Sequence, residues 1–167
     1  MQTFLPYASF TKSAKVLDRQ RLGKQRLEAR QLLAACLAPA TAWGNHAAAR
    51  MWRGHEGSLL LYGKAICEEW RSRGYQDQQL PWMEAHLATY SPSAPQLQPP
   101  PWLGCFRLHQ AYRSNLLRKC PAHYRQFWPC LRDDLPYVWP VGKEVPDRFG
   151  PQPGFISQPV VHNGSSK

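Results

Sequence analysis

The segment RQRLGKQRLEAR, residues 19–30, has the clearest pattern of chemically active side chains in the chain. Five cations surround one acid, Glu28, on a predicted helix: Arg19, Arg21, Lys24, Arg26 and Arg30. Cations crowded on one helix repel each other unless an anion binds among them. DNA phosphates supply such anions through charge-assisted hydrogen bonds and counterion release. The pattern therefore predicts a nucleic-acid-binding face.

Glu28 has two interpretations within this face. As a structural residue, it pairs with Lys24 one helical turn earlier. As a chemical residue, a lone carboxylate among phosphate-binding cations can stabilise an oxocarbenium-like sugar, activate a water or move protons while a glycosidic bond breaks. The residues by themselves leave both interpretations open.

Composition agrees with a polyanionic partner. The 167 residues fit one domain, and 21 Lys and Arg against 11 Asp and Glu give a net charge of +10. Such an excess attracts polyanions, of which nucleic acid is the commonest, although a basic surface that serves only solubility has the same composition. Charge does not distinguish DNA from RNA.

Other classes of protein are disfavoured. The longest apolar stretches, residues 32–40 and 59–62, are too short to span a bilayer, and the N-terminus does not resemble a signal peptide, so we expect a cytoplasmic monomer. No Cys-x-x-Cys pair occurs, which predicts neither a disulfide framework nor a zinc site, and we expect no metal or cofactor. The five cysteines, of which the first two fall in apolar helical patterns, are Cys36, Cys67, Cys105, Cys120 and Cys130.

Apolar periodicity predicts the helices that position these residues. One helix is predicted over residues 11–37. A second follows a stripe from Trp52 to Trp70 and ends at Gly74, with a kink or a close helix contact near residue 54. A short helix is predicted over 81–89 and a longer one over 105–119, separated by an extended proline-rich connection at 91–101. The predicted fold class is all-α: a compact single-domain helical bundle over 1–140, with long Pro-rich loops and an extended Pro/Gly-rich tail over 141–167.

Three sequence blocks carry a resemblance to a known family. They are LDRQRLGKQRLEA at 17–29, NHAAARMWRGHE…YGKAICEEWRSRGY at 45–75, and YRSNLLRKCPAHYRQFWP…DDLPYVWP at 112–140. Together they resemble the pyrimidine-dimer DNA glycosylase and abasic-site lyase family, the endonuclease V type known from bacteriophages, and its bacterial relatives. The separation of Gln20 and Glu28 matches that between the family's helix glutamine and its catalytic glutamate.

The resemblance implies a compact helical enzyme without a metal. It implies that Glu28 is the catalytic acid/base and that Gln20 and Arg21 lie near the lesion. It also implies that Arg26, Arg30 and the helix bearing Arg113–Lys119 clamp the DNA backbone. The predicted DNA-binding set is Arg19, Lys24, Arg26, Arg30, His46, Arg53, Arg113, Arg118, Lys119, Tyr124 and Trp128.

The chain departs from the family pattern at its N-terminus. The phage enzymes form an imine through the α-amino group of a threonine that removal of the initiator methionine exposes, whereas here Gln2 follows Met1 and favours its retention. Either Met1 supplies the amine, or the enzyme is a simple glycosylase in which Glu28 assists water.

A second departure concerns the substrate. Arg21 replaces a smaller residue, and the proline-rich segments at 91–101 and 141–159 lack counterparts. These differences favour a different pocket, for example for a hypermodified phage cytosine that is extruded from the duplex. Creating abasic sites in invading DNA would then be a defence.

Several further residues have competing roles. Tyr124 and Trp128 either stack on a base or pack the tail. His55 is expected to be a packed and satisfied histidine, Trp52, Tyr62 and Trp70 to be core residues, and Asp18 to be a structural partner of Arg21 or Arg19. The rival functions are a non-enzymatic DNA-binding module, in which Glu28 only orders the arginines, and an RNA-binding protein.

Overall fold

The helix predicted over residues 11–37 is in fact two helices. The computed structural model describes residues 2–141, in which α1 spans Phe10–Val16 and α2 spans Arg19–Leu37. Asp18 begins α2 as its N-cap, because its carboxylate accepts a hydrogen bond from the backbone N–H of Arg21 at 3.1 Å. The prediction of one helix was wrong because no Gly or Pro marks the break, and the apolar pattern continues through the buried Leu17.

The second predicted helix is also divided. Helix α3 spans Ala47–Trp52 and helix α4 spans Glu56–Ser72. Gly54 lies between them at φ 84°, a backbone conformation that a residue with a Cβ rarely adopts. The kink predicted near residue 54 is therefore a complete break, and α4 ends just before Gly74, as predicted.

The remaining helices follow the predictions more closely. Helix α5 spans Leu80–Leu87, α6 spans Phe106–Lys119 and α7 spans Pro121–Tyr124. The proline-rich connection contains a 3₁₀ turn at Pro95–Leu97, so it is not wholly extended. No strand occurs within residues 2–141, and the predicted all-α single domain is confirmed. The tail predicted over 141–167 lies outside the described residues except for Val141.

The core lies between α2 and α4, and α1, α3 and α5 pack around them. Trp52, Tyr62, Cys36 and Cys67 are buried in it, as predicted. Trp70 is a correction, because it lies half-buried at the edge of the core, where its ring packs against Tyr75 with centroids 4.2 Å apart. No helix in the described part of the chain is long and apolar enough to cross a membrane.

The N-terminal segment, residues 2–6, runs through the protein without belonging to a helix or a sheet. Its backbone groups are paired with side chains: the carbonyl of Leu5 accepts from His109 Nδ1 at 2.7 Å, and that of Pro6 accepts from Arg113 Nε at 2.7 Å. Buried backbone groups need such partners, because leaving them unpaired costs free energy. The segment is thereby fixed against α6, and its beginning lies beside α2.

Candidate active site

A cleft of about 420 Å³ opens where the N-terminal segment meets α2. Its walls come from α2, from both ends of the described chain, from the start of α3 and from the end of α6. The described residues lining it are Gln2, Phe4, Gln20, Arg21, Lys24, Glu28, His46, Lys119, Tyr137 and Trp139. The structure thus brings together six of the predicted site residues, and Glu28 is the only acid among the described lining residues.

Glu28 is largely enclosed, with 11% of its side chain exposed. Its Oε1 lies 3.6 Å from Nζ of Lys24. This is the ion pair one helical turn apart that a structural role for Glu28 predicts. Lys24 is 71% exposed, so the pair is screened by solvent and contributes little to stability. Lys24 therefore remains accessible to a phosphate.

Gln25 holds the other side of the Glu28 carboxylate. Its Nε2 donates to Glu28 Oε2 and, at 3.1 Å, to the carbonyl of Gln2. Its Oε1 accepts from the hydroxyl of Tyr62 at 2.6 Å and from the backbone N–H of Phe4 at 3.1 Å. Gln25 is fully buried, so this one amide fixes both the carboxylate and the N-terminal segment.

Arg21 is held at the rim of the cleft by Asp18. Its Nη1 lies 2.9 Å from Asp18 Oδ2, and its Nη2 donates to the carbonyl of Lys119 at 3.3 Å. Tyr124 also donates to Asp18, at 2.6 Å. Burial acts to raise the pKa of Asp18, but the hydrogen bonds from Tyr124 and Arg21 outweigh it and hold that pKa below its ordinary value. The predicted structural pairing of Asp18 with Arg21 is therefore present.

Aromatic rings form the opposite rim. His46 caps α3 by accepting from the N–H of Ala48 at 3.1 Å, and its ring lies 6.1 Å from that of Trp139 and 6.3 Å from that of Trp43. Tyr137 continues the row, with its ring centroid 5.6 Å from that of Trp139. Flat apolar faces beside cations are suited to nucleotides.

A second cavity, of about 600 Å³, adjoins the first. The described residues lining it are Lys24, Glu28, Gln31, Ala34, Ala35, Thr41 and Trp43. Lys24 and Glu28 line both cavities, so the carboxylate lies at the boundary between them.

Three predicted phosphate-binding arginines have partners within the protein. Arg26 forms an ion pair with the buried carboxylate of Asp77 and lies over the Trp70 ring. Arg113 bonds the Pro6 carbonyl, and Arg53 donates to the Gly44 carbonyl at 2.6 Å. These contacts give each of the three side chains a structural role, and their binding to DNA phosphates stays a prediction.

The other predicted cations keep more freedom. Arg19 lies over the ring of Tyr75 at 5.2 Å, and Arg30 lies over that of Trp82 at 4.7 Å. Arg118 bonds the side-chain oxygen of Asn115 and is exposed. Their phosphate contacts stay predictions.

Two aromatic predictions are corrected by burial. Tyr124 is fully buried against Asp18, and Trp128 is nearly so, with its ring parallel to that of Tyr124 at 5.7 Å. Neither ring is open to a base. His55 was expected to have its hydrogen bonds satisfied, and this expectation was wrong. Its buried Nδ1 has no hydrogen-bond partner within the described residues.

The residues that complete the site could not be identified from the sequence. Gln25 gave no signal, because a glutamine within a charged helix does not reveal that it points inward. Tyr137 and Trp139 fell within a block of resemblance, but no role was assigned to them. Met1, predicted as a source of the amine, lies outside the described residues. No group of His, Cys, Asp and Glu within residues 2–141 is arranged to hold a metal ion.

These features define a helical protein in which one enclosed carboxylate lies in a cationic cleft, an arrangement suited to chemistry on a polyanion. Residues 1–83 match a family model described as pyrimidine dimer DNA glycosylase. The N-terminal half of the chain is therefore similar to the pyrimidine dimer DNA glycosylase family, and this similarity indicates a DNA N-glycosylase that acts on DNA. Comparison with curated proteins and with solved structures gave no match.

Proposed function

We propose that this protein is a DNA N-glycosylase that removes a damaged or bulky modified pyrimidine from duplex DNA, with Glu28 as its catalytic carboxylate. The observation that carries the proposal is the position of Glu28. It is enclosed, fixed by Gln25 and surrounded in the cleft by Arg21, Lys24 and Lys119.

The reaction breaks the bond between C1′ of the sugar and the base nitrogen, and its electron pair leaves with the base. Positive charge develops on the sugar as this bond lengthens, and the Glu28 carboxylate stabilises that charge. The oxygen of a water then bonds to C1′, and Glu28 accepts the proton that this water releases. The departing base finally takes up a proton, which leaves an abasic site and a neutral base; a base that belongs to a pyrimidine dimer stays bonded to its neighbouring pyrimidine.

The cations of the cleft hold the DNA backbone around this centre. Lys24 and Lys119 are exposed and line the cleft, so each can approach a phosphate. Arg21 is preoriented by Asp18, which lowers the entropy that the side chain loses on binding.

A bifunctional glycosylase and abasic-site lyase is the second candidate. It is favoured by the contact of Gln25 with both Gln2 and Glu28, because this contact places the start of the described chain beside the catalytic carboxylate. An amine in this position would form an imine with the sugar and permit strand cleavage. The hydrolytic reaction needs no such amine.

The deciding experiment incubates the protein with ultraviolet-irradiated DNA, with phage DNA rich in hypermodified cytosine and with plain DNA, and then labels abasic sites. We expect abasic sites in at least one of the first two and none in plain DNA. Activity on the hypermodified DNA alone supports a defensive role, and activity on irradiated DNA alone supports repair.

The variant Glu28→Gln tests the assigned carboxylate. It should abolish base release while duplex binding stays intact or becomes stronger, because a negative charge near phosphate is removed. Glu68→Gln is the matched control, since Glu68 is exposed on α4 and pairs with Lys64. If wild-type protein binds all three DNAs and releases no base, the protein is a non-enzymatic binding module.

A further inference from the structure

The two cavities that meet at Glu28 differ in the chemistry of their walls. Both have aromatic rings in their walls, and the difference is in charge: the first combines the rings of Phe4, His46, Tyr137 and Trp139 with the cations Arg21, Lys24 and Lys119. Apart from the shared Lys24 and Glu28, the second has no charged residue among its described lining residues. Charged walls suit a sugar-phosphate backbone, and a less charged cavity with an aromatic side suits a base.

Trp43 forms the aromatic side of the second cavity and is 60% exposed. Exposing a large indole gives up the stabilisation that its burial would provide. Among the described residues, its ring has one aromatic neighbour, His46, at a centroid distance of 6.3 Å. Packing within the protein therefore does not explain its position.

The loop that carries Trp43 is nevertheless held firmly. Thr41 Oγ1 donates to the carbonyl of Ala38 at 2.8 Å and accepts from the N–H of Gly44 at 2.9 Å. Arg53 donates to the Gly44 carbonyl, and a Cβ on Gly44 would lie 2.0 Å from the Ala38 carbonyl oxygen. An exposed indole on a firmly held loop is preorganised to bind a flat ligand.

We propose that the second cavity receives the target base, which stacks on the indole of Trp43 while its sugar and phosphates lie in the cationic cleft. This inference rests on the proposed function, because it places the bond to be broken over Glu28, at the boundary of the two cavities. The base thus leaves the duplex before it is released.

The size of the cavity indicates the class of base. Cavities of roughly 300–1,000 Å³ commonly enclose drug-sized ligands, which are much larger than one pyrimidine ring. A cavity of about 600 Å³ therefore accommodates a pyrimidine enlarged by a second fused ring system or by a bulky substituent. Gln31 and Thr41 supply an amide and a hydroxyl that can hydrogen-bond polar atoms of the enlargement.

The test compares duplexes that differ only at the target nucleotide, with Glu28→Gln as the background so that no base is released. One duplex carries a pyrimidine dimer, one a glycosylated cytosine and one a stable abasic analogue. Trp43→Ala should weaken binding to a duplex with an enlarged base about tenfold, as stacking on an aromatic side chain predicts. Binding to the abasic duplex should not change, because no base is there to stack.

Trp43→Phe should retain most of the affinity, and Leu37→Ala, which alters another exposed apolar residue near the end of α2, is the control. Ala34→Phe should fill the cavity and exclude the enlarged base without affecting the abasic duplex. A greater loss of affinity for the duplex with the pyrimidine dimer would indicate damaged DNA as the substrate. A greater loss for the duplex with the glycosylated cytosine would indicate modified phage DNA.

Equal losses on the base-containing and abasic duplexes would overturn the proposal, since Trp43 would then contact the backbone. The absence of any loss would overturn it as well. These binding results are independent of turnover, so they separate this inference from the proposed reaction. A further outcome is that wild-type protein releases no base while Trp43→Ala selectively loses affinity for duplexes with an enlarged base. That combination would disprove the proposed reaction and support the second cavity as the binding site of the base.

Discussion

Gln25 and Glu28 are joined by a hydrogen bond from a fully buried amide to the carboxylate at the boundary of two cavities. The same amide nitrogen donates to the Gln2 carbonyl, and its oxygen accepts from Tyr62 and Phe4. With its amide engaged on both sides, the glutamine cannot turn without breaking several contacts. The orientation of the carboxylate is therefore coupled to the packing of the N-terminal segment.

We expect Gln25→Leu to slow base release by roughly 10- to 100-fold, because the carboxylate loses its fixed orientation. It should also lower the free energy of unfolding by about 1–3 kcal/mol, since the Tyr62 hydroxyl and the Phe4 N–H lose an acceptor. Single-turnover kinetics and urea unfolding measure the two effects.

Tyr62→Phe is the control for this prediction. It removes the hydrogen bond to the Gln25 oxygen and leaves the donor to Glu28 in place. It should reduce stability with a smaller effect on the rate. Equal rate losses in the two variants at equal stability would show that Gln25 acts only through folding.

We expect duplex binding to weaken steeply with salt, with a slope of log K against log[salt] of about −4 to −5 for roughly five phosphate contacts. Lys119→Ala should flatten the slope by roughly one unit, because Lys119 is exposed at the cleft. Fluorescence anisotropy over a salt series provides the measurement. A slope near zero would contradict a phosphate-binding cleft.

Arg26→Ala should behave differently from Lys119→Ala. It leaves the Asp77 carboxylate buried without its guanidinium partner, which costs about 3–5 kcal/mol for a buried pair. The salt slope of the remaining folded protein should be unchanged. A flattened slope with normal stability would show instead that Arg26 binds DNA, as the sequence predicts.

We expect acid to destabilise the fold through His109. Burial lowers the pKa of His109 below its ordinary value of 6.5, so the folded protein binds fewer protons than the unfolded chain once the pH falls below 6.5. Stability should be unaffected by His109 above that pH and should fall between 6.5 and the lower folded pKa, by at most about 1.4 kcal/mol per pH unit.

Urea unfolding at several pH values between 5 and 8 measures this dependence. His109→Gln should have a lower free energy of unfolding at every pH in this range, but that free energy should change less with pH than it does in the wild-type protein. His55, whose pKa burial also lowers, should account for part of the dependence that remains. An unchanged dependence in the variant would exclude His109 as its source.

We expect borohydride to trap little covalent adduct on substrate DNA, with abasic sites accumulating in intact strands. Lys24 lies in the cleft, where it pairs with Glu28 and is proposed to bind a phosphate, so we do not expect it to attack the sugar. Gel shift after borohydride treatment, with peptide mapping of any adduct, makes the measurement. Strong trapping at Met1 would establish the bifunctional reaction instead.

The sequence predicted the helical class and much of the site because both depend on local spacing. Gln20, Lys24 and Glu28 lie one helical turn apart in sequence and share the wall of one cleft. Whether a cation faces solvent or a buried partner depends on distant residues, as Asp77 shows for Arg26. The inward position of Gln25 likewise depends on Tyr62, 37 residues away.

The N-terminal segment has a consequence for synthesis on the ribosome. Leu5 and Pro6 obtain their hydrogen-bond partners from His109 and Arg113, and the Gln2 side chain bonds the hydroxyl of Tyr137 at 2.9 Å. These partners are made more than 100 residues after the segment itself. The segment is therefore fixed only after these later residues have been synthesised. A nascent chain lacks one wall of the cleft until Trp139 has been added, so the cleft cannot form in its complete shape before that residue is synthesised.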